Sequence, residues 1–134
     1  RKLPALTPDT APFWQGGANG TLLMHHCGGC NRWFHPPAPA CPRCGSFDVA
    51  PRAVSGRGTV ATFTVNHQPW TKDLRLPYVV AIVELAEQAG LRLVTNVVGC
   101  APEDVCIDMP VRVRFEPHEE VWLPLFEPDP REGA

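Results

Sequence analysis

Four cysteines in two pairs are the residues of this sequence whose types and spacing point most clearly to chemistry. Two residues separate Cys27 from Cys30 and Cys41 from Cys44, and ten residues lie between the pairs. A C-x₂-C turn lets two sulfurs face one ion while neighbouring backbone N–H groups donate to those sulfurs. Two such turns supply the four thiolates of a tetrahedral zinc site, so the spacing predicts a zinc ribbon.

We predict that this zinc is structural rather than catalytic. A catalytic zinc usually keeps one position open to water, whereas four cysteines fill all four positions. His25, His26 and His35 lie close in sequence, and a four-thiolate site does not need them as ligands. A lobe of about 30 residues cannot bury enough apolar surface to fold unaided, so the metal would supply the missing stability. Any catalytic chemistry must then lie elsewhere.

Two other interpretations of the cysteine pairs are weaker. The sequence shows no secretory leader and no apolar run of the roughly 20 residues that a membrane span needs, so we expect a soluble cytoplasmic protein whose thiols stay reduced. A thioredoxin-like redox pair would lie beside a βαβ pattern, which neither motif has. Asn31 after Cys30 and Gly45 after Cys44 both suit the left-handed backbone that a metal-binding turn often needs.

A short helix is predicted ahead of the ribbon, over residues 9–15, with Pro12 in its first turn. Phe13 and Trp14 are large apolar side chains on an element too short to have a core of its own. They must pack against the rest of the chain or against another protein. We therefore treat both as partner-contact candidates.

The second half of the chain alternates between apolar and polar residues. Residues 56–67 carry Ala61, Phe63 and Val65 between polar neighbours, a pattern typical of a half-buried strand. The second and third strands are predicted as a β-hairpin, and one helical turn precedes the fourth. These later elements cover residues 78–85, 91–98, 101–109 (the helical turn), 111–115 and 121–126. Five strands with a helical turn between the third and the fourth are the chain order of an OB-fold barrel.

The predicted fold is mainly β, with a short N-terminal helix, a rubredoxin-like zinc ribbon and a five-stranded OB-fold barrel. We assign the helical segment to residues 1–20, the ribbon to 21–50 and the barrel to 51–127. The first ribbon strand is predicted over residues 21–26. Residues 128–134 are predicted to be a disordered tail, because chain ends are ordered only where they are tied down.

Charge is unevenly distributed along the chain, whose net charge is -2. Residues 32–75 carry a net charge of +4, and residues 76–134 carry a net charge of -7. Charge balance explains the basic segment, because four thiolates around Zn²⁺ leave two negative charges. The alternative is a landing place for a phosphorylated ligand.

A second group of residues could form the rim of a ligand site. Trp70 and Tyr78 flank a loop that holds Lys72 and Arg75, side chains suited to an adenine ring and to phosphates. These aromatic residues could equally pack the barrel mouth, and His67 could be a hydrogen-bonded loop residue. The ligand-rim candidates are Arg57, His67, Trp70, Lys72, Arg75 and Tyr78.

The sequence offers few residues for catalysis by this chain alone. Ser46 and Ser55 are its only serines, and neither lies in a G-x-S-x-G elbow. Cys100 and Cys106 are weak candidates for a nucleophile, because a buried free cysteine usually behaves as a small hydrophobe. We therefore predict no catalytic residue in this chain.

Several motifs, in their order along the chain, resemble one family. They are CPRCGS at the second cysteine pair, SGRGTV before the first barrel strand, and then PYVVAIVEL, TNVVG and MPVRVRF. Together they resemble the zinc-ribbon plus OB-fold family known as domain of unknown function thirty-five, and the likeness runs from Trp14 to Phe115. Asn31 and Asp108 stand where the family often has glycine, and both residue types tolerate a left-handed backbone.

The resemblance implies an accessory role. Members of this family look like companions of thiolase-fold enzymes that act on acyl-CoA thioesters. Some form the C-terminal domain of a MaoC-like hydratase subunit and bind a steroid side-chain aldolase. By this resemblance the chain would order a thiolase-fold partner, an aldolase (a lyase) or a thiolase, in a heteromeric complex. The partner would cleave a steroid β-hydroxyacyl-CoA by a retro-aldol reaction, with the CoA thioester bound jointly by both chains.

Two other functions stay open at this point. The chain could be an acyl-CoA-binding module that works without an enzyme partner. An OB barrel beside a zinc ribbon could also bind single-stranded nucleic acid, which needs a basic groove lined with stacking aromatic residues. The net charge of -7 over residues 76–134 disfavours nucleic acid as the partner.

Overall fold

Two sheets make up most of the structure. The computed structural model describes Pro4 and residues 6–67 and 77–130, in which one short helix precedes eight strands. The strands form a three-stranded sheet and a closed five-stranded barrel. No helix among these residues is both long and apolar enough to cross a bilayer. The predicted mainly β fold is confirmed.

Helix α1 spans Ala11–Gln15 and passes directly into a 3₁₀ turn over Gly16–Asn19. The predicted helix is confirmed, although it begins two residues later than expected. The backbone N–H groups of Thr10 and Ala11 donate to the carbonyl of Thr7 at 3.1 and 2.8 Å. These hydrogen bonds form a turn ahead of the helix, which explains its later start.

Three antiparallel strands form the ribbon sheet, in the order β2-β1-β3. They are β1 (Leu22–Cys27), β2 (Arg32–Phe34) and β3 (Val49–Val54). The predicted first ribbon strand is confirmed as β1. The sheet extends past residue 50, the predicted end of the ribbon, because β3 pairs with β1 along its whole length.

Five strands form the barrel, which closes in the order β4-β5-β6-β8-β7. They are β4 (Arg57–Asn66), β5 (Tyr78–Leu85), β6 (Arg92–Val97), β7 (Pro110–His118) and β8 (Val121–Pro128). β6 and β8 pair in parallel, whereas the other neighbours are antiparallel. The predicted hairpin and the helical turn, a 3₁₀ turn over Pro102–Asp104, are also present. These features confirm the five-stranded OB-fold barrel.

Eight described residues adopt a left-handed backbone, and five of them are glycines. Three were expected from the sequence, namely Asn31, Gly45 and Asp108, with φ values of 59°, 77° and 68°. Asn31 and Asp108 therefore occupy positions at which glycine would also be suitable. Glu119, with a φ of 55° in the β7–β8 turn, is the third residue other than glycine with this backbone, and the sequence did not predict it.

The barrel core also contains side chains from α1 and from the ribbon. The buried residues of β5 alternate along the strand, as its period of two predicts; they are Val79, Ala81, Val83 and Leu85. Phe13 of α1 and Leu22 and Met24 of β1 belong to the same buried cluster. The helix, the ribbon and the barrel therefore share one hydrophobic core.

Two neighbouring side chains of the β5–β6 turn fasten the barrel to the ribbon. The Gln88 amide donates to the Trp33 carbonyl and accepts from the Trp33 N–H, both at 2.9 Å. Glu87 accepts a hydrogen bond of 2.7 Å from the N–H of Ser55, which lies between β3 and β4. The turn thus holds both the edge strand β2 and the connection between the two sheets.

The C-terminal end of the barrel is more ordered than the sequence predicted. The prediction of a disordered tail from residue 128 is wrong for Pro128, which belongs to β8, and for Asp129, which is buried. Arg57 at the start of β4 lies 3.6 Å from the Asp129 carboxylate, and this ion pair ties the end of the chain to the barrel. Residues 131–134 lie outside the described residues.

Candidate functional site

The four predicted metal ligands converge at one end of the ribbon sheet. Cys27 ends β1 and Cys30 lies in the turn after it, whereas Cys41 and Cys44 lie between β2 and β3. The Cys27 and Cys44 sulfurs are 3.6 Å apart, and the Cys30 and Cys41 sulfurs are 3.7 Å apart. All four lie within 4.8 Å of one another. A sulfur tetrahedron with Zn–S bonds of about 2.3 Å has edges of about 3.8 Å, so the arrangement fits zinc.

The surroundings of each sulfur determine how readily it becomes a thiolate. Backbone N–H groups of Cys44 and Arg43 lower the pKa of the Cys41 thiol to about 6. The Cys30 N–H donates to the Cys27 sulfur at 3.4 Å. Burial, together with the neighbouring sulfurs, raises the pKa of the Cys30 thiol to about 12. Four thiolates at these distances therefore require a cation among them, which Zn²⁺ would supply.

Close packing around the cysteines supports a structural site. Cys27 and Cys41 are buried in a small cluster with Phe34. The Gly28 N–H donates to the Asp48 carbonyl at 2.8 Å, and a Cβ on Gly28 would lie 2.4 Å from the Asp48 carboxylate. The two cysteine turns are thus held against each other. A cluster this small cannot hold the ribbon alone, so a metal would act in place of a larger core.

His26 takes part in a hydrogen-bonded network beside the metal site. Its Nε2 lies 2.9 Å from the Asn31 Oδ1, and its Nδ1 lies 3.5 Å from a guanidinium nitrogen of Arg52. Because arginine can only donate, Nδ1 accepts and the Nε2–H donates to Asn31. The same Arg52 lies over the Trp33 ring at 5.9 Å from its centroid. Among the described residues the metal-site cluster consists of cysteines alone, so His26 supports it without joining it.

His25 and His35 are packed between the ribbon and α1. Burial lowers the pKa of each imidazole, and for His35 the nearby His25 adds to this effect. The His35 ring packs against Phe13, with the ring centroids 4.9 Å apart. The His35 Nδ1 is buried and makes no hydrogen bond to a described residue. Both rings therefore serve as packing groups that favour the neutral form.

The described ligand-rim candidates do not come together at one place. His67 follows β4 and is exposed, and the Tyr78 hydroxyl at the start of β5 bonds to the amide of Asn66. Arg57 begins β4, a strand of 10 residues, and is thus roughly 30 Å from His67. Outside the described residues lie the other three candidates, Trp70, Lys72 and Arg75. The ligand rim therefore stays a prediction, with Arg57 at the opposite end of β4 from His67.

The Cys100 thiol, outside the metal cluster, is not activated as a nucleophile. Burial, helped by the charge of Asp104, raises the pKa of the half-buried Cys100 thiol, which favours its unreactive protonated form. Cys106 is exposed in the loop before β7. The absence of a catalytic residue from this chain stays a prediction.

An apolar groove lies between α1, the ribbon and the outer face of the barrel. Its volume is about 550 Å³. One wall comes from the helix, one from the segment after β2, and one from β5, β6 and β8. We call it the α1 groove, and its apolar lining includes Phe13, Trp14, Pro36, Val94, Leu123 and Leu125.

The two partner-contact candidates occupy different positions at this groove. Phe13 is 4% exposed and belongs to the barrel core. Trp14 is half-buried and packs edge to face on Phe13, with centroids 4.7 Å apart. Sequence reasoning identified both residues but missed the barrel side of the groove. The available signal was β8, whose consecutive apolar residues indicate that both of its faces are covered.

Two family models match the chain, one for each sheet. Residues 14–50 match the model described as ChsH2, rubredoxin-like zinc ribbon domain. Residues 51–116 match the model described as ChsH2, C-terminal OB-fold domain. In the solved Ltp2-ChsH2(DUF35) aldolase, one chain is 42% identical and superposes with a TM-score of 0.84. That match covers 94% of this chain and 98% of the other.

Two curated relatives extend the comparison. The 3-oxo-4,17-pregnadiene-20-carboxyl-CoA hydratase alpha subunit of Mycobacterium tuberculosis is 37% identical over 127 residues, which are 94% of this chain and 40% of that subunit. A DUF35 domain-containing scaffold protein of Methanocaldococcus jannaschii is 36% identical over 96 residues, which are 70% of this chain and 67% of that protein. This chain thus spans about 40% of the length of the hydratase subunits it matches. Its sequence, its two domains and its cysteine spacing show that the chain belongs to the ChsH2/DUF35 family of zinc-ribbon plus OB-fold proteins.

Proposed function

We propose that this chain is a non-catalytic accessory subunit that binds and orders a thiolase-fold aldolase. The observation that carries the proposal is its match to 98% of a chain of the Ltp2-ChsH2(DUF35) aldolase, at a TM-score of 0.84. The archaeal relative named as a scaffold protein supports a role in assembly rather than in chemistry. The unactivated thiol of Cys100 also supports it. The acid and base of the reaction would belong to the partner.

Zinc has a structural role in this proposal. Cys27, Cys30, Cys41 and Cys44 would hold it, and the bound ion would crosslink the two cysteine turns. Four thiolate ligands leave no position for a substrate or a water molecule. The lowered pKa of Cys41 and the N–H donor to the Cys27 sulfur favour thiolates at this site. The metal would keep the ribbon in the shape that the partner recognises.

The proposed substrate of the complex is a steroid side-chain β-hydroxyacyl-CoA, which a retro-aldol reaction cleaves between its α and β carbons. The steroid-CoA name of the mycobacterial relative supports this substrate class. A MaoC-like hydratase is the second proposed partner, because that relative is a hydratase subunit. This chain and the aldolase would bind the CoA thioester jointly. His67 and Tyr78 are candidates for the rim of that ligand site on this chain. A cytoplasmic location fits such a complex.

Co-expression with the aldolase tests the proposal. We expect the two proteins to elute together, and we expect retro-aldol cleavage of a steroid β-hydroxyacyl-CoA only when both are present. The purified chain alone should show no turnover. Turnover of a thioester by the solitary chain at a rate comparable to the complex would contradict the non-catalytic role.

A stand-alone acyl-CoA-binding module is the second candidate, favoured by the net charge of +4 over residues 32–75. Calorimetry of the isolated chain with a CoA thioester distinguishes the two functions. The accessory role predicts weak or absent binding until the aldolase is added. Tight binding by the chain alone would favour the module. A salt-sensitive gel shift with an oligonucleotide would instead indicate single-stranded nucleic-acid binding.

A further inference from the structure

Many of the strand edges through which β-proteins often join one another are covered in the described part of this chain. The barrel is closed, with β6 and β8 paired at Val97 and Phe126. In the ribbon sheet, the Gln88 side chain occupies the outer edge of β2 at Trp33. On the opposite edge, Pro51 removes an N–H from β3. Within the described residues, most strand edges are thus paired or interrupted, which favours a partner that binds through side-chain contacts.

The α1 groove exposes apolar side chains to contacts of this kind. Val94 of β6 is 70% exposed, although it is a large apolar residue. It pairs with Ile82 of β5 on the outer face of the barrel, and Trp14 and Pro36 contribute the other walls. A concave apolar surface that is open to solvent is typical of a protein–protein contact, where a side chain of the partner fills the pocket.

Charges beside the groove favour a basic surface on the partner. The side chain of Gln15, the residue after Trp14, donates to the Glu120 carbonyl at 3.3 Å. This bond holds the β7–β8 turn next to α1. The turn carries Glu119 and Glu120, both of which are exposed. Lysine or arginine residues that flank an apolar side chain would complement this arrangement.

Two other occupants match the groove less well. A CoA thioester needs cations for its phosphates, but Arg92 in the groove lining already pairs with Glu84 at 3.1 Å. A second copy of this chain would bring one acidic turn towards another, in a barrel segment of net charge -7 over residues 76–134. Like charges at an interface oppose association.

We infer that the α1 groove is the docking surface for the aldolase, and that it receives an apolar side chain flanked by lysine or arginine on a helix or loop of that enzyme. The inference rests on the proposed function, because it takes the aldolase as the occupant. It adds the location of the contact and the chemistry of the surface that binds there.

Val94→Asp tests the inference, with Ile107→Asp as its matched control. Both native side chains are exposed aliphatic groups, at 70% and 59%, but Ile107 lies in the loop before β7 and does not line the groove. Each full chain is titrated by calorimetry with the purified Ltp2-type aldolase of the same organism. We expect Val94→Asp to weaken binding at least about tenfold and Ile107→Asp to weaken it less than about threefold. Zinc content and thermal unfolding are measured for both variants, and values equal to those of the wild type establish that the variants are folded.

The acidic turn has its own test in the same titration. Replacing Glu119 and Glu120 together by lysine should weaken binding and make it less sensitive to salt, because a favourable charge contact is lost. Binding by this variant with unchanged affinity and salt dependence would overturn the basic-partner part of the inference.

The outcomes separate the inference from the proposed function. Equal affinity of wild type and Val94→Asp overturns the groove as the docking surface while the accessory role stands. No binding by the wild-type chain rejects the accessory role, and the groove then loses its named occupant. A wild-type dimer that Val94→Asp dissociates, seen by light scattering, would identify a second copy instead. Binding of a CoA thioester by the isolated chain that Val94→Asp abolishes would identify a small ligand.

Discussion

The side-chain amide of Gln88 and the peptide of Trp33 form a pair of hydrogen bonds, each 2.9 Å long, between the barrel and the ribbon. An amide side chain presents one donor group and one acceptor, as a backbone peptide does. The Gln88 amide therefore satisfies the outward-facing backbone groups of β2 at Trp33, as a neighbouring strand would. Trp33 is half-buried, so its backbone N–H and carbonyl would find few other hydrogen-bond partners if the Gln88 side chain were removed.

Gln88→Ala should lower the free energy of unfolding by about 1–3 kcal/mol, because it removes both partners of a half-buried peptide. Urea denaturation followed by tryptophan fluorescence measures the change. Gln15→Ala is a suitable control, because Gln15 also bonds to a distant backbone carbonyl but through a single, longer bond of 3.3 Å. Equal stability of wild type and Gln88→Ala would show that the pair contributes little to joining the two sheets.

Cys44→Ser should release the metal, unfold the ribbon and abolish binding to the aldolase, because three thiolates hold zinc less tightly than four. Cys106→Ser is the matched control, since Cys44 and Cys106 are both exposed but only Cys44 belongs to the cluster. Elemental analysis measures zinc, and circular dichroism measures folding. Retained aldolase binding in a metal-free preparation would argue against a structural role for the metal.

Trp14→Ala and Phe13→Ala should have different effects. Phe13 is 4% exposed, so its truncation should lower the free energy of unfolding by about 3–5 kcal/mol. Trp14 is half-buried at the groove, so its truncation should weaken aldolase binding with little effect on zinc content. Calorimetry, urea denaturation and zinc analysis distinguish the two. If Trp14→Ala lost zinc and binding together, the helix would belong to the ribbon rather than to a contact surface.

Acidification should destabilise the fold through His35. Burial lowers its folded-state pKa below the ordinary value of 6.5, so the unfolded chain binds more protons below pH 6.5. The free energy of unfolding should therefore fall as the pH falls through 6.5 towards the lowered value, and His35 should contribute little to the slope at pH 7.5 and above.

His35→Phe isolates this effect, because it keeps a ring against Phe13 and removes the titrating group. Urea denaturation at pH 7.5, 6.5 and 5.5 should give a flatter pH dependence for the variant than for wild type. Zinc content is followed in parallel, because thiolates also protonate in acid. Identical slopes for the two proteins would mean that His35 does not control the acid sensitivity.

Much of the fold could be predicted from the sequence because its signals are local. The cysteine spacing predicts the ribbon, and the alternation in β4 predicts the first barrel strand. Asn31 and Asp108 have the left-handed backbone expected for them. Each of these signals depends on a few neighbouring residues, so none requires knowledge of the tertiary structure.

The contacts between the sheets could not be predicted in the same way. Gln88 is an ordinary polar turn residue until the fold brings it beside Trp33, which is 55 positions away in sequence. The end of β8 was misjudged for a similar reason, because the contacts that bury the polar Asp129 come from residues far away in sequence, Arg57 and Pro110. Val94 indicates a surface contact only once its exposure is known.

The six-residue strand β1 carries Cys27 at its end and Leu22 and Met24 further back, where they belong to the barrel core. Metal occupancy and barrel integrity are thus coupled through one continuous segment. A newly made chain that lacks zinc would expose its apolar core residues to chaperones and proteases, and a folded barrel with an unfolded ribbon would not accumulate. Cellular abundance of the assembled enzyme would accordingly follow the zinc supply.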